Sequence, residues 1–133
     1  MKNRIKVTCG VIEKAGKYLI VQRGAKTSDA FKWEFPGGKV ELGETEKAGM
    51  ARELKEELDI DVLVETPLLP IEREKPRCRI ELLPFRCTII GGEITLLEHI
   101  AMAWIDIHEP IEYDLSEGDY EIINQLKNKE SFE

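Results

Sequence analysis

From Thr45 to Leu58 the apolar residues Ala48, Ala51, Leu54 and Leu58 recur at the spacing of one buried face of an α-helix. Glu53, Glu56 and Glu57 are expected on another face. No other stretch constrains the fold as much, because a helix with one apolar side must lie against a second layer of structure. Its acidic side is costly by itself. Like charges three and four residues apart destabilise a helix by about 0.2–0.5 kcal/mol per pair, and carboxylates near the C-terminus oppose the helix dipole. A divalent cation reverses both penalties; a merely solvated acidic face is the alternative.

Strand patterns surround this helix. Val7–Ile12 and Tyr18–Gln22 are β-branched runs, and the five residues between them, with Gly16, predict a hairpin loop. Residues 24–30 lack periodicity and read as an exposed loop. Phe31–Phe35 alternates aromatic and charged side chains as a short strand, which Pro36, Gly37 and Gly38 stop. Further strands are expected at Ile60–Val64, Leu68–Glu74, Arg79–Leu83, Phe85–Ile90 and His99–Ile105, with Pro84 demanding an edge or a bulge. Ser116 to Asp119 resembles a capping box that opens a second helix through Lys127, with Tyr120, Ile123 and Leu126 inward. Residues 128–133 have little to bury and are expected to fray.

A chain of 133 residues with 42% hydrophobic content suits one α/β domain with a single core over residues 1–133. With 19 basic against 26 acidic side chains the formal charge is -7, which argues against stable binding to nucleic-acid backbone. An anionic small substrate then needs a metal ion and local cations. Cys9, Cys78 and Cys87 show no ligand spacing and read as reduced thiols of a cytoplasmic protein. No apolar run approaches the roughly 20 residues that span a bilayer, and no export leader is evident, so no membrane association is expected.

Carboxylates suit a hard cation such as Mg2+. Glu53, Glu56 and Glu57 are the candidate ligands, and Arg52 can pair with a carboxylate and orient it. Gly37 and Gly38, lacking side chains, let backbone groups approach a metal or phosphate closely.

Spacing adds to this. Gly38, Glu44, Arg52, Glu53, Leu54, Glu56, Glu57 and Ile60 meet eight of the nine fixed positions of a pattern that resembles the Nudix box, the signature of the Nudix hydrolase superfamily. The departure is Asp59, where the family has glycine; Asp is among the few residues that tolerate the left-handed turn after a helix. Trp33 to Lys39, Glu98, His99 and Trp104 resemble the MutT-like branch, especially its CTP pyrophosphohydrolase and 8-oxo-dGTP diphosphatase members.

The resemblance implies the Nudix fold, an α/β/α sandwich around a central mixed sheet. It implies Mg2+, with Mn2+ as a substitute, and hydrolysis of a nucleoside triphosphate to monophosphate and diphosphate. Glu53, Glu56 and Glu57 take metal or base roles, with Gly37 or Gly38 offering a carbonyl ligand. Glu98 is either a further ligand or base, or a solvated strand-end carboxylate. Glu44, at the start of the helix, is assigned mainly to structure. Arg23 and Lys39 are candidate nucleotide contacts, or surface charges. Phe35 is the better candidate than Trp33 for a base pocket. Asp119 stands where the branch reads a base edge, its competing role being the capping box. His99 and His108 receive no role.

Two alternatives stay open. The same chemistry can act on ADP-ribose, a sugar nucleotide or a dinucleotide polyphosphate, or the domain can bind nucleotide without hydrolysing it. The expected partner is a nucleotide, and the expected state a monomer or homodimer.

Overall fold

The computed structural model describes residues 3–130, in which seven strands and two helices form three layers. The first two strands reach further than the β-branched runs. β1 covers Asn3–Lys14 and β2 covers Lys17–Gln22, so Ala15 and Gly16 alone turn the chain. Their φ angles of 54° and 80° suit a type I′ turn, whose twist matches the strands it joins, and a five-residue loop is unnecessary.

β3 is Trp33–Glu34 only; Phe31 leaves the strand conformation with a φ of 65°. The remaining strands are β4 (Asp61–Pro67), β5 (Ile71–Glu74), β6 (Cys78–Gly91) and β7 (Ala101–Ile105). They give the order β3-β2-β1-β6-β4, with β5 also on β6 and β7 also on β2. β1 and β6 run parallel, from Asn3 opposite Cys78 to Ile12 opposite Cys87. β6 passes through Pro84 without a break, where two separate strands were expected. Its carbonyl accepts from the Leu68 N–H at 2.9 Å, which puts the imide nitrogen on that same edge, at the junction where the neighbouring strand changes from β5 to β4. No ladder bond is lost there.

β2 shows why helices cover both faces of the sheet. Leu19 and Val21 point to one side and Tyr18 and Ile20 to the other, in two separate apolar clusters. The expected single core is therefore divided by the sheet. Met50, Leu54 and Leu58 of α1 (Glu46–Leu58) fill the first cluster, and Ile122, Ile123 and Leu126 of α2 (Glu117–Glu130) fill the second. This is the α/β/α sandwich.

Thr45 caps α1, its hydroxyl accepting from the Ala48 N–H at 3.1 Å, an interaction worth about 1 kcal/mol. Asp59 ends the helix at φ 57° and ψ 37°, the left-handed geometry expected of it. The buried stripe is shifted from the predicted one. Ala48 is exposed and Ala51 half-buried, whereas Met50, Leu54 and Leu58 are buried and Glu57 lies among them. Tyr120 is likewise exposed, and Ile122 takes its inward place. α2 continues to Glu130, so residues 128–130 are helical rather than frayed, while residues 131–133 lie outside the described residues. Among the described residues, no helix is long and apolar enough to cross a membrane.

Candidate active site

Residues 36–40 lie flat along β1. Gly10 N–H donates to Pro36 O at 2.6 Å, Thr8 N–H to Gly38 O at 2.8 Å, and Val40 N–H to Lys6 O at 2.9 Å. Two glycines make this contact possible. A Cβ on Gly37 would stand 2.0 Å from the Thr8 carbonyl oxygen, and one on Gly38 would stand 2.4 Å from the Glu53 carboxyl group. Glycine at 38 thus lets the carboxylate lie directly against the loop. The Gly38 carbonyl is already taken by Thr8, whose hydroxyl also donates to it at 3.0 Å, so Gly37 is the better placed of the two carbonyls expected to be ligands.

Arg52 gathers the carboxylates around it. Its Nη2 donates to Glu44 at 2.7 Å and to Lys39 O at 2.9 Å, and its Nη1 donates to Glu53 at 3.0 Å and Glu56 at 3.1 Å. Glu44 is held by this guanidinium and by the Glu41 N–H, which bring its carboxyl down to about 2. Gly49 permits that reach, since a Cβ there would meet the Glu44 carboxylate at 2.9 Å. Glu44 precedes the helix, which begins at Glu46 after the Thr45 cap, and it holds Arg52 instead of meeting the helix dipole. Lys39 presents its carbonyl inward and its side chain to solvent, and Glu56 is exposed.

Glu57 is the opposite case. It is 2% exposed, its Oε1 has no hydrogen-bond partner, and burial, the hydrogen bond with Glu53 and the nearby Glu34 and Glu98 push its pKa up to about 10. A buried carboxyl group crowded by other carboxyl groups offers oxygen donors of the kind a divalent cation takes. Among the described residues no three His, Cys, Asp or Glu side chains already stand together as a cage. Glu53 and Glu56 are turned to Arg52, which neutralises them. Glu53 and Glu57, with Glu98 beside them, fit a metal nonetheless, because the buried orphan oxygen calls for a cation.

The loop after β6 brings Glu98 to this place by capping α1. Its Thr95 and Leu97 N–H groups donate to Leu58 O at 2.9 Å and Glu57 O at 3.0 Å, filling carbonyls that the last helical turn leaves open. The resulting cleft, of about 250 Å³, is lined by Arg23, Gly37, Gly38, Glu53, Glu57 and Glu98. Six of the predicted residues thus meet in one place.

A second cavity of about 430 Å³ adjoins it, with Lys32, Arg73, Leu82 and Gly118 in its walls and Glu34 common to both. Phe35 does not line either. Its ring is 3% exposed and lies in the core cluster with Tyr18, Ile20 and Leu115. Trp33 is the more accessible aromatic, packed edge-on to Tyr113 at 4.7 Å. Asp119 is 4% exposed; its backbone N–H donates to Ser116 O, and its carboxyl meets the Phe35 N–H, so it does not close a capping box. Burial raises its pKa well above the usual carboxylate range. Its Oδ2 has no hydrogen-bond partner among the described residues.

Two side chains escaped the sequence reading. His99 is half-buried with its side chain turned inward, Nε2 at 3.0 Å from Glu34 and Nδ1 at 3.7 Å from Glu57. Glu34 also accepts from Arg23 at 3.0 Å. Nothing in local spacing points to either, since they lie 65 residues apart in the chain.

Comparison with known proteins accords with this geometry. Residues 2–126 match the model of the NUDIX domain. The CTP pyrophosphohydrolase of Escherichia coli (strain K12) is 34% identical over 119 residues, covering 90% of this chain and 88% of that protein. A putative 8-oxo-dGTP diphosphatase 2 of Mycobacterium tuberculosis (strain ATCC 25618 / H37Rv) is 36% identical over 113 residues, covering 82% and 77%. The solution structure of the E. coli ORF135 protein superposes with a TM-score of 0.83 at 32% identity, covering 96% of this chain and 91% of that one. With the family match over nearly its whole length and relatives above 30% identity along most of it, the chain belongs to the Nudix hydrolases, enzymes that cleave nucleotide diphosphate linkages with the help of divalent metal ions.

Proposed function

We propose that this enzyme is a Mg2+-dependent nucleoside triphosphate pyrophosphohydrolase that converts a triphosphate and water to monophosphate and diphosphate. The substrates we infer are CTP-like or oxidised purine nucleotides, in keeping with relatives named CTP pyrophosphohydrolase and 8-oxo-dGTP diphosphatase. Such an enzyme cleanses the nucleotide pool and so protects DNA. The observation that carries the reading is the pair of adjoining cavities, one acidic and one mixed, divided by Glu34. The acidic cleft suits a metal-bound phosphate chain and its neighbour the nucleoside.

In this reading Glu53, Glu57 and Glu98 hold the metal, with the Gly37 carbonyl as a further donor; Mn2+ can substitute. When bound, a divalent cation neutralises phosphate oxygens and lowers the pKa of an attacking water. Arg52 keeps Glu53 in place, and Glu56 balances the charge of Arg52 from outside the cleft. Arg23 lines the cleft as the local cation that faces phosphate. Asp119, behind Glu34, supports the nucleoside side. We place the enzyme in the cytoplasm, where these substrates are found, acting as a monomer or homodimer without stable nucleic-acid partners.

A panel of CTP, dCTP, 8-oxo-dGTP, the ordinary triphosphates, ADP-ribose and UDP-glucose, with released diphosphate and monophosphate measured, tests the proposal. Turnover of the triphosphates to diphosphate is expected; hydrolysis confined to ADP-ribose or UDP-glucose overturns it.

A further inference from the structure

Three buried side-chain atoms lack a hydrogen-bond partner among the described residues: Glu57 Oε1, His99 Nδ1 and Asp119 Oδ2. Two of them face each other. His99 Nδ1 and Glu57 Oε1 stand 3.7 Å apart, beyond hydrogen-bond range by less than about 1 Å. One hydrogen between them satisfies both, which removes two desolvation penalties in a single small movement. On the other side of the ring Nε2 is already within 3.0 Å of Glu34, a carboxylate that the Arg23 guanidinium anchors. The imidazole therefore spans from the acidic cleft to the side chain that walls both cavities.

We propose that His99 is a positioning residue, a strut that holds the Glu57 carboxyl group in place and ties its orientation to Glu34. This rests on the proposed metal-dependent reaction, in which Glu57 is a ligand. The backbone supports such a part, for Leu97 N–H is fixed to Glu57 O and Ile100 N–H to Gln22 O, at 3.0 Å each, so His99 sits on a segment clamped at both sides. A nucleotide that displaces Glu34 loosens the strut and slows turnover, whereas one that leaves Glu34 in place does not. Discrimination between nucleotides then appears in kcat.

His99→Phe removes both polar contacts at similar volume. His99→Asn keeps only the nitrogen position facing Glu57, and His99→Gln only that facing Glu34; both amides serve if the phenylalanine variant fails to fold. Each is compared with the wild type by Mn2+ binding to the nucleotide-free protein, by melting temperature, and by kcat and KM with the best triphosphate of the panel. The expected result for each is about tenfold weaker Mn2+ binding and about tenfold lower kcat, with KM within about twofold. Adding Glu34→Gln to His99→Phe is expected to cost no more than about a further twofold, because the first change has already cut the strut. Wild-type Mn2+ affinity in both amide variants overturns the proposal, as does a loss in kcat matched by a rise in KM. If the wild type cleaves no triphosphate the proposed substrate class fails, while the Mn2+ measurement still decides the role of His99.

Discussion

Glu53 and Glu56 share one guanidinium, whereas Glu57, the next residue along the same helix, is buried without a cation. The first two lie in an electrostatically closed arrangement, with Arg52 meeting Glu44, Glu53, Glu56 and the Lys39 carbonyl together. The third is left with an unmatched oxygen and a proton it does not easily release. The contrast separates carboxylates held by a cation from one left without it. Arginine fixes the position of Glu53, and Glu57, which it does not reach, keeps a buried oxygen without a partner.

The strongest way to break this comparison is to neutralise Glu57. Glu57→Gln is expected to lower Mg2+-dependent turnover by about 10²-fold or more and to leave the melting temperature unchanged or higher, since no buried charge is then required. A steady-state assay and a thermal scan check both, and unaltered turnover removes Glu57 from the metal site. The metal-free protein adds a pH test. With an ordinary value of 4.5 and a folded value of about 10, the folded state keeps a proton that the unfolded chain gives up, so stability falls as pH rises through that window. Melts in a chelator from pH 5 to pH 9 should show this slope, and Glu57→Gln should flatten it.

Gly38→Ala comes next. The added methyl group collides with the Glu53 carboxyl group at 2.4 Å, so turnover is expected to fall by about tenfold or more while the protein stays folded. Arg52→Lys tests the frame itself. Loss of the planar fork is expected to cost about 1–3 kcal/mol in urea unfolding. The Glu44 part of that frame is present above its ordinary value of 4.5 and lost as pH falls toward about 2, so Glu44→Gln should weaken the acid dependence of stability. The smallest effect is expected at Asp59→Gly, a gain of up to about 1 kcal/mol from relieving the left-handed backbone, with turnover unchanged.

Legibility in the sequence follows the same division. The acidic helix and the left-handed Asp59 could be read because helical spacing and turn tolerance are local properties, whereas the pairing of Glu44 with Arg52 across the helix start could not. Glu57 was placed on the wrong face, since a carboxylate on an apolar stripe looks like a break in the pattern until its neighbours are known. Phe35 was misjudged for a related reason. A strand alternates sides, but which side is the pocket depends on what packs against it, and Phe35 lies in the core cluster. Glu34 and His99 meet only because β2 lies between β3 and β7, and no spacing in the chain encodes that meeting.

The placement of β6 between β1 and β4 also bears on how the chain is made. α1 is made and emerges before Cys78–Gly91 does, so its apolar residues Met50, Leu54 and Leu58 must wait for the strand that completes their cover. Pairing Asn3–Ile12 with Cys78–Cys87 closes a long stretch of chain at once, which is slow compared with local hairpins. A nascent chain halted before β6 emerges therefore carries a sticky, unfinished sheet, and the interval until residue 91 has left the ribosome is the period in which this enzyme most needs protection from aggregation.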